Sequence, residues 1–305
     1  MVLGKVSLIG LSCIAFMSIN TVTSDFMLTP DQLESFHEHG FVGPFQVCTP
    51  EEMAVIRSRI DAEVINTPSD IYGFETGRDR HLDRRVIYDL LTHPAIVQRL
   101  IKILGPDLFI WRSNFFFKPP RSPETVWHQA NVFKEYTDYP ILEPPDPESL
   151  FQLTVWIAID EANLDNGCVQ IVPKTHKKLA PKAKTDDQIR GDGEYGVYQS
   201  GFFGYDQGRE FSFDPATIVS MECKPGEFFI FTQRVIHGSP PNNTDQRRLA
   251  INFRAVQTNT KVYHHFLGDD KIEHYGHVFN LTKWGCVLIH GADSFGYNKM
   301  AVRPI

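Results

Sequence analysis

Two histidines and an arginine stand in an order and at offsets that suit a metal ion and an oxyanion. His128 lies in Trp127-His128-Gln129-Ala130-Asn131-Val132-Phe133, and His237 follows far downstream in Phe229-Ile230-Phe231-Thr232-Gln233-Arg234-Val235-Ile236-His237-Gly238. A histidine, a spacer and a third residue, with a second histidine further on, is the sequence form of the two-histidine, one-carboxylate triad that holds non-haem Fe(II). The third residue here is Ala130, and a methyl group cannot ligate a metal. Either the iron site has been lost or one coordination position is left for another ligand. Glu135, a short step onward, is a carboxylate that could swing in to complete a displaced triad. Eleven residues after His237, Arg248 opens the apolar stretch Leu249 to Val256. Beside an iron site, the planar fork of an arginine can hold the far carboxylate of a 2-oxoacid such as 2-oxoglutarate.

Such residues must be carried by rigid elements. Thr29-Pro30-Asp31-Gln32 and Thr49-Pro50-Glu51-Glu52 are capping boxes with proline at the first helical position. The first helix is closed by Gly40, and the second runs through Met53, Val55, Ile56, Ile60 and Val64 at helical spacing. His93-Pro94 opens a third helical pattern, Ile96, Val97, Leu100, Ile101 and Leu104, stopped by Gly105-Pro106. After Pro106 the segments become short, aromatic and β-branched. Strands are predicted at Leu108 to Phe117, Leu153 to Ile159, Cys168 to Val172, Ile218 to Met221, Glu227 to Phe231 and Arg248 to Val256. The pattern predicts a mainly β fold, an antiparallel jelly roll or barrel with flanking helices. Residues 174–215, rich in Gly, Asp, Lys and Tyr, read as loops over a barrel mouth. His237, following an apolar strand, is placed at a strand end.

Composition narrows the function classes. A formal charge of −7 on 305 residues excludes the basic face of a nucleic-acid-binding domain. No stretch is long and apolar enough to indicate a stable membrane span. Cys13, Cys48, Cys168, Cys223 and Cys286 are scattered without a CxxC pair and read as unpaired thiols of a reducing compartment. Residues 1–26 form a signal-like or non-native extension, and residues 27–305 a single domain. Lys5, the apolar run Val6 to Ile19 and small residues before Asp25 have the outline of a secretory signal. The sequons at Asn242 and Asn280 would be exposed by that route. The expected location is cytoplasmic, with secretion the alternative if residues 1–24 are cleaved.

Trp127-His128-Gln129-Ala130, Thr154-Val155-Trp156, Asn166-Gly167-Cys168, Gly201-Phe202-Phe203-Gly204-Tyr205-Asp206 and His237 with Arg248 and Arg254 resemble a known family. It comprises the iron- and 2-oxoglutarate-dependent aliphatic halogenases of the syringomycin type, a branch of the phytanoyl-CoA dioxygenase superfamily. The resemblance runs from about Leu28 almost to the C-terminus, with Phe41-Val42-Gly43-Pro44-Phe45 and Arg80-His81-Leu82-Asp83. Ordinary hydroxylases of that superfamily have Asp where Ala130 stands.

The resemblance implies a double-stranded β-helix in which His128 and His237 bind Fe(II), Arg248 binds 2-oxoglutarate and chloride sits beside Ala130. Lys118 resembles a position near the co-substrate, with a surface position as its alternative. Phe133, Thr154, Trp156 and Arg254 are similar to residues that shape the halogenation pocket. The implied reaction couples decarboxylation of 2-oxoglutarate by O2 to chlorination of an unactivated aliphatic carbon. The substrate is a free small molecule or an aminoacyl group tethered to a carrier protein. The alternatives are a hydroxylase of the same superfamily and a non-catalytic relative that has lost its iron. His264, His265, Asp269, Asp270, His274 and His277 read as a solvated polar segment rather than a second metal site.

Overall fold

A computed structural model of the chain describes residues 26–129, 140–180, 198–199, 210–266, 271–274 and 277–305. Ala130, Phe133 and Glu135, and the Gly201 to Asp206 motif, lie outside the described residues.

The capping boxes form as the sequence predicts. Helix α1 (Pro30–His39) starts where the Thr29 hydroxyl accepts the Gln32 amide and Gln32 accepts the Thr29 amide in return. It ends at Gly40, whose φ of +89° is left-handed. Thr49 and Glu52 repeat the exchange at α2 (Pro50–Glu63). Helices α3 (Arg85–Leu91) and α4 (Pro94–Leu104) follow, and α4 buries Ala95, Ile96, Val97, Leu100 and Leu104. Full burial of a side chain such as Ile96 contributes about 1.5–3 kcal/mol.

Ten strands make the two main sheets: β1 (Phe41–Gln46), β2 (Leu108–Lys118), β3 (Thr125–His128), β4 (Gln152–Ala158), β5 (Val169–Val172), β6 (Val219–Met221), β7 (Glu227–Thr232), β8 (Ile236–Ser239), β9 (Arg248–Gln257) and β10 (Val287–His290). One sheet has the order β1-β7-β4-β9-β2-β10 and the other β3-β8-β5-β6, all neighbours antiparallel. Alternation along each strand divides the residues between two layers. Leu249, Ile251 and Phe253 pack with Ile87, Leu91, Ile96 and Leu100 in the helix-facing core. Ala250 packs with Trp156, Phe229, Phe231, Ile171 and Met221 in the core between the sheets. This is the expected mainly β architecture with flanking helices.

The six strands read from the sequence are present, with ends shifted by no more than one residue. Three features differ. His237 lies inside β8 rather than after a strand, because a tight turn at Gln233 to Val235 starts a new strand for the smaller sheet. The C-terminal region is not merely a solvated tail: Trp284 and Cys286 are buried and β10 pairs with β2. His264, His265 and His277 are exposed as expected, and no cluster of three metal-ligating side chains occurs among the described residues. The Asn242 sequon is unsuited to glycosylation, since this asparagine is 1% exposed and its Nδ2 donates to the Pro119 and Gln246 carbonyls. Cys48, Cys168, Cys223 and Cys286 are free thiols. No helix among the described residues is long and apolar enough to cross a membrane.

Candidate metal and co-substrate site

Strands β3 and β8 place His128 and His237 directly opposite each other, with ring centroids 4.1 Å apart. Each imidazole is oriented in the same way. Nδ1 of His128 donates to the Val126 carbonyl at 2.9 Å, and Nδ1 of His237 to the Val235 carbonyl at 2.9 Å. A carbonyl can only accept, so both Nδ1 atoms carry the proton and both Nε2 atoms present a lone pair, the form that ligates a metal. Desolvation, together with the charge of Arg254, pushes His128 down to about 4. Desolvation, and then mutual repulsion with His128, pushes His237 well below the ordinary histidine range. Both rings are therefore neutral at pH 7, and a metal need not displace protons.

Gln129 clamps the end of β3. It is 2% exposed; its Nε2 donates to the Arg234 carbonyl at 2.6 Å and the Lys178 carbonyl at 3.0 Å, and its Oε1 accepts the Ala180 amide at 2.8 Å. These bonds tie His128 to the turn preceding His237. No sequence pattern points to Gln129, because its partners lie far away along the chain.

The second half of the site is cationic. Arg248 and Lys118 are opposite each other on β9 and β2 and are 4% and 5% exposed. Arg248 lies over Trp156, with Cζ 5.4 Å from the ring, and its Nε and Nη1 have no hydrogen-bond partner. Lys118 donates to the Ser239 hydroxyl at 2.8 Å. Ser239 lies two residues beyond His237 on the same face of β8, which connects the two halves. Neither cation has an ion-pair partner among the described residues. Desolvation lowers Arg248 to about 10 and, with Arg248 beside it, Lys118 to about 8. Gly167 makes room for the lysine: at its φ of +82° an added Cβ would lie 2.6 Å from Lys118 Cε.

The sequence placed Lys118 either near a co-substrate or on the surface, and the fold buries it. Trp156 meets Arg248 and stacks on Phe229 at 5.3 Å, which places it at the cationic end of the site. Thr154 is buried opposite Arg254 on β9, whose charge reaches both histidines.

The donor set fits an iron ion and 2-oxoglutarate. Two oriented neutral imidazoles would hold the metal, and two buried cations with unmatched donors would hold the far carboxylate. Binding of 2-oxoglutarate is expected to weaken as pH rises through about 8, since Lys118 then becomes neutral. The loss should be roughly tenfold, the value of one charge-assisted hydrogen bond. Titrations followed by the iron-to-2-oxoglutarate charge-transfer band measure it, and Lys118→Met should remove the pH dependence while weakening binding throughout.

The chain is similar to known proteins. The family model "Phytanoyl-CoA dioxygenase (PhyH)" matches residues 36–250. "Dioxygenase lolE1" of Epichloe uncinata is 28% identical over 62% of this chain, and the match spans 60% of that protein. "Phytanoyl-CoA dioxygenase" of Arabidopsis thaliana is 26% identical over 76% of this chain and 89% of that protein. Among solved structures, "CytC3 with Fe(II) and alpha-ketoglutarate" is 28% identical, with a TM-score of 0.69 over 90% of this chain and 94% of that one. With its two histidines, its buried arginine and this barrel, the chain belongs to the phytanoyl-CoA dioxygenase family and has the fold of the iron- and 2-oxoglutarate-dependent oxygenases.

Proposed function

We propose that this chain is an Fe(II)- and 2-oxoglutarate-dependent halogenase that chlorinates an unactivated aliphatic carbon. The observation that carries this reading is Ala130, placed where a metal-ligating carboxylate is expected, in a chain that keeps His128, His237 and Arg248. Two neutral imidazoles leave a dication short of one compensating charge. A halide can supply that charge, and alanine leaves space for it. At an effective dielectric of about 20 and a separation of ~4 Å, such an attraction is about 4 kcal/mol. The relationship to CytC3, which is described with Fe(II) and alpha-ketoglutarate, supports the same cofactor pair here.

When bound, iron and 2-oxoglutarate supply activation of O2 and abstraction of hydrogen from carbon. The chain's own residues hold and orient. His128 and His237 ligate through Nε2, Arg248 and Lys118 bind the carboxylate, and Trp156, Phe229 and Phe231 keep water from that end. Phe133 is proposed to line the substrate side, and Arg254 and Thr154 to face it. The substrate is a small molecule or an aminoacyl group on a carrier protein. A second reading, an oxygenase that hydroxylates, is favoured by the names of the relatives, which are dioxygenases.

Anaerobic reconstitution with Fe(II) and 2-oxoglutarate, followed by chloride titration, separates the two. A charge-transfer band that shifts saturably with chloride is expected for the halogenase, and a halide-insensitive band supports the hydroxylase. Ala130→Asp should retain iron but abolish the chloride response. An unchanged response in that variant would place the halide elsewhere.

A further inference from the structure

The turn that follows β5 reaches the peptide group beside His237, although nothing in Val172-Pro173-Lys174-Thr175-His176 reads as chemistry in the sequence. Thr175 begins a single 3-10 turn (Thr175–Lys177) and is half-buried. Its hydroxyl donates to the Val172 carbonyl at 2.7 Å and accepts the Ile236 amide at 2.9 Å. Val172 and Ile236 are opposite each other on β5 and β8, so the hydroxyl spans the two strands where β8 begins. The turn is also held from outside the sheet. The Lys174 amide donates at 3.0 Å to the carbonyl of His39, the last residue of α1, and Lys174 is left-handed at φ +68°. Gln129 Nε2 reaches the Thr175 carbonyl at 3.3 Å.

The Ile236 amide and the Val235 carbonyl belong to one planar peptide group. That carbonyl is the acceptor for Nδ1 of His237 at 2.9 Å. Fixing the N–H therefore fixes the direction of the C=O, and the C=O sets the plane of the imidazole and the aim of its Nε2 lone pair. The bonds form one chain, from Nδ1 of His237 through the Val235–Ile236 peptide and the Thr175 hydroxyl to the Val172 carbonyl. Each bond polarises the next, so the carbonyl that meets His237 is a better acceptor than an isolated one. A stronger acceptor at Nδ1 makes Nε2 a more basic ligand. The preceding peptide is held as well, because the Arg234 carbonyl accepts from Gln129 Nε2 at 2.6 Å.

We propose that Thr175 is a positioning residue that sets the ring orientation and tautomer of His237. Its consequence for metal binding rests on the iron reading above, whereas the orientation of the imidazole does not. Thr175 acts through the Val235–Ile236 peptide. If the hydroxyl only capped the turn after β5, its removal would lower stability and leave the imidazole as it is.

The test uses Thr175→Val, which keeps the side-chain shape and removes the hydroxyl, and Thr175→Ser, which restores it. Thr175→Ala repeats the removal without a methyl group against the Ile236 amide. Thermal melting sets a temperature at which the variants are folded. The tautomer is read by nitrogen NMR of histidine-labelled, metal-free protein in mildly alkaline buffer. His237 should be in the Nδ1–H form in the wild type and in Thr175→Ser, and a mixture with the Nε2–H form in Thr175→Val and Thr175→Ala. In anaerobic calorimetry, the Fe(II) dissociation constant should rise about tenfold or more in Thr175→Val, the usual cost of disturbing the outer partner of a metal-ligating histidine. Thr175→Ser should stay within threefold of the wild type. An unchanged tautomer in folded Thr175→Val and Thr175→Ala, an unchanged Fe(II) affinity, or changes that Thr175→Ser fails to restore would each overturn the assignment. If the wild type bound no Fe(II) while the tautomer still followed the hydroxyl, the iron reading would fail and the positioning of His237 would stand.

Discussion

Replacing His237 with leucine is expected to lower Fe(II) affinity by about two to three orders of magnitude and, in the metal-free protein, to relieve an acid instability. The first effect follows from sharing the ~10–16 kcal/mol of a four-ligand metal site among its ligands, about 3–4 kcal/mol each. The second follows from the folded environment. His237 is held far below its ordinary pKa by desolvation and by His128 at a ring separation of 4.1 Å. As pH falls below about 6.5, the unfolded chain takes up a proton that the folded chain resists, so folding weakens toward acid. Leucine removes that term. The variant should thus gain stability relative to the wild type progressively from about pH 7 down to 5. Anaerobic iron titration and melting curves across this range test both parts. Unchanged iron affinity would show that His237 is not a ligand. A stability difference independent of pH would show that the imidazole is not strained by its neutral burial.

Arg248→Leu should separate binding from stability in the opposite sense to an ordinary core mutation. The guanidinium is 4% exposed, with Nε and Nη1 unmatched; it lies over Trp156, faces Lys118 and is reached by the charge of Asp160 without forming an ion pair with it. An uncompensated buried charge opposes folding, and an apolar side chain of similar reach in its place is neutral or stabilising. The same charge is what a bound carboxylate needs. Truncating one partner of a buried charge pair costs ~2–5 kcal/mol, so the dissociation constant for 2-oxoglutarate should rise by about two to three orders of magnitude. The expected result is a melting temperature unchanged or raised in a protein that no longer develops the charge-transfer band at ordinary 2-oxoglutarate concentrations. If melting and binding fell together, Arg248 would be a structural residue. If 2-oxoglutarate bound normally, the Lys118–Arg248 pair would not be its site.

The two variants exploit a common feature. Lys118 and Arg248 are buried and His128 and His237 partly buried, all desolvated at a cost to the fold, in an environment that suits ligands. Perturbed ionisation in such a setting is characteristic of functional sites.

By itself, the sequence determined the local elements. Capping boxes at Thr29 and Thr49, Gly40 at a left-handed position, and the aromatic and β-branched runs of β2, β4, β7 and β9 are decided within a few residues, and the structure reproduces them almost to the residue. It also marked His128, His237 and Arg248, because their types and order are chemically specific. Strands β3 and β8 were not legible: four residues long and carrying a histidine each, they are strands only because they pair with each other, and β8 also with β5. Ala130 and Phe133 are sequence findings whose surroundings lie outside the described residues.

Tertiary structure alone decided which polar residues are buried and what they face. It turned Lys118 inward against Arg248, set Gln129 as the clamp between the two histidine strands, buried Asn242 and placed the Thr175 hydroxyl against the Ile236 amide. The reason is range. Capping and local strand preference are set by neighbours along the chain, whereas the desolvation of a charge is the sum over every segment packed around it. That sum exists only once the two sheets have closed.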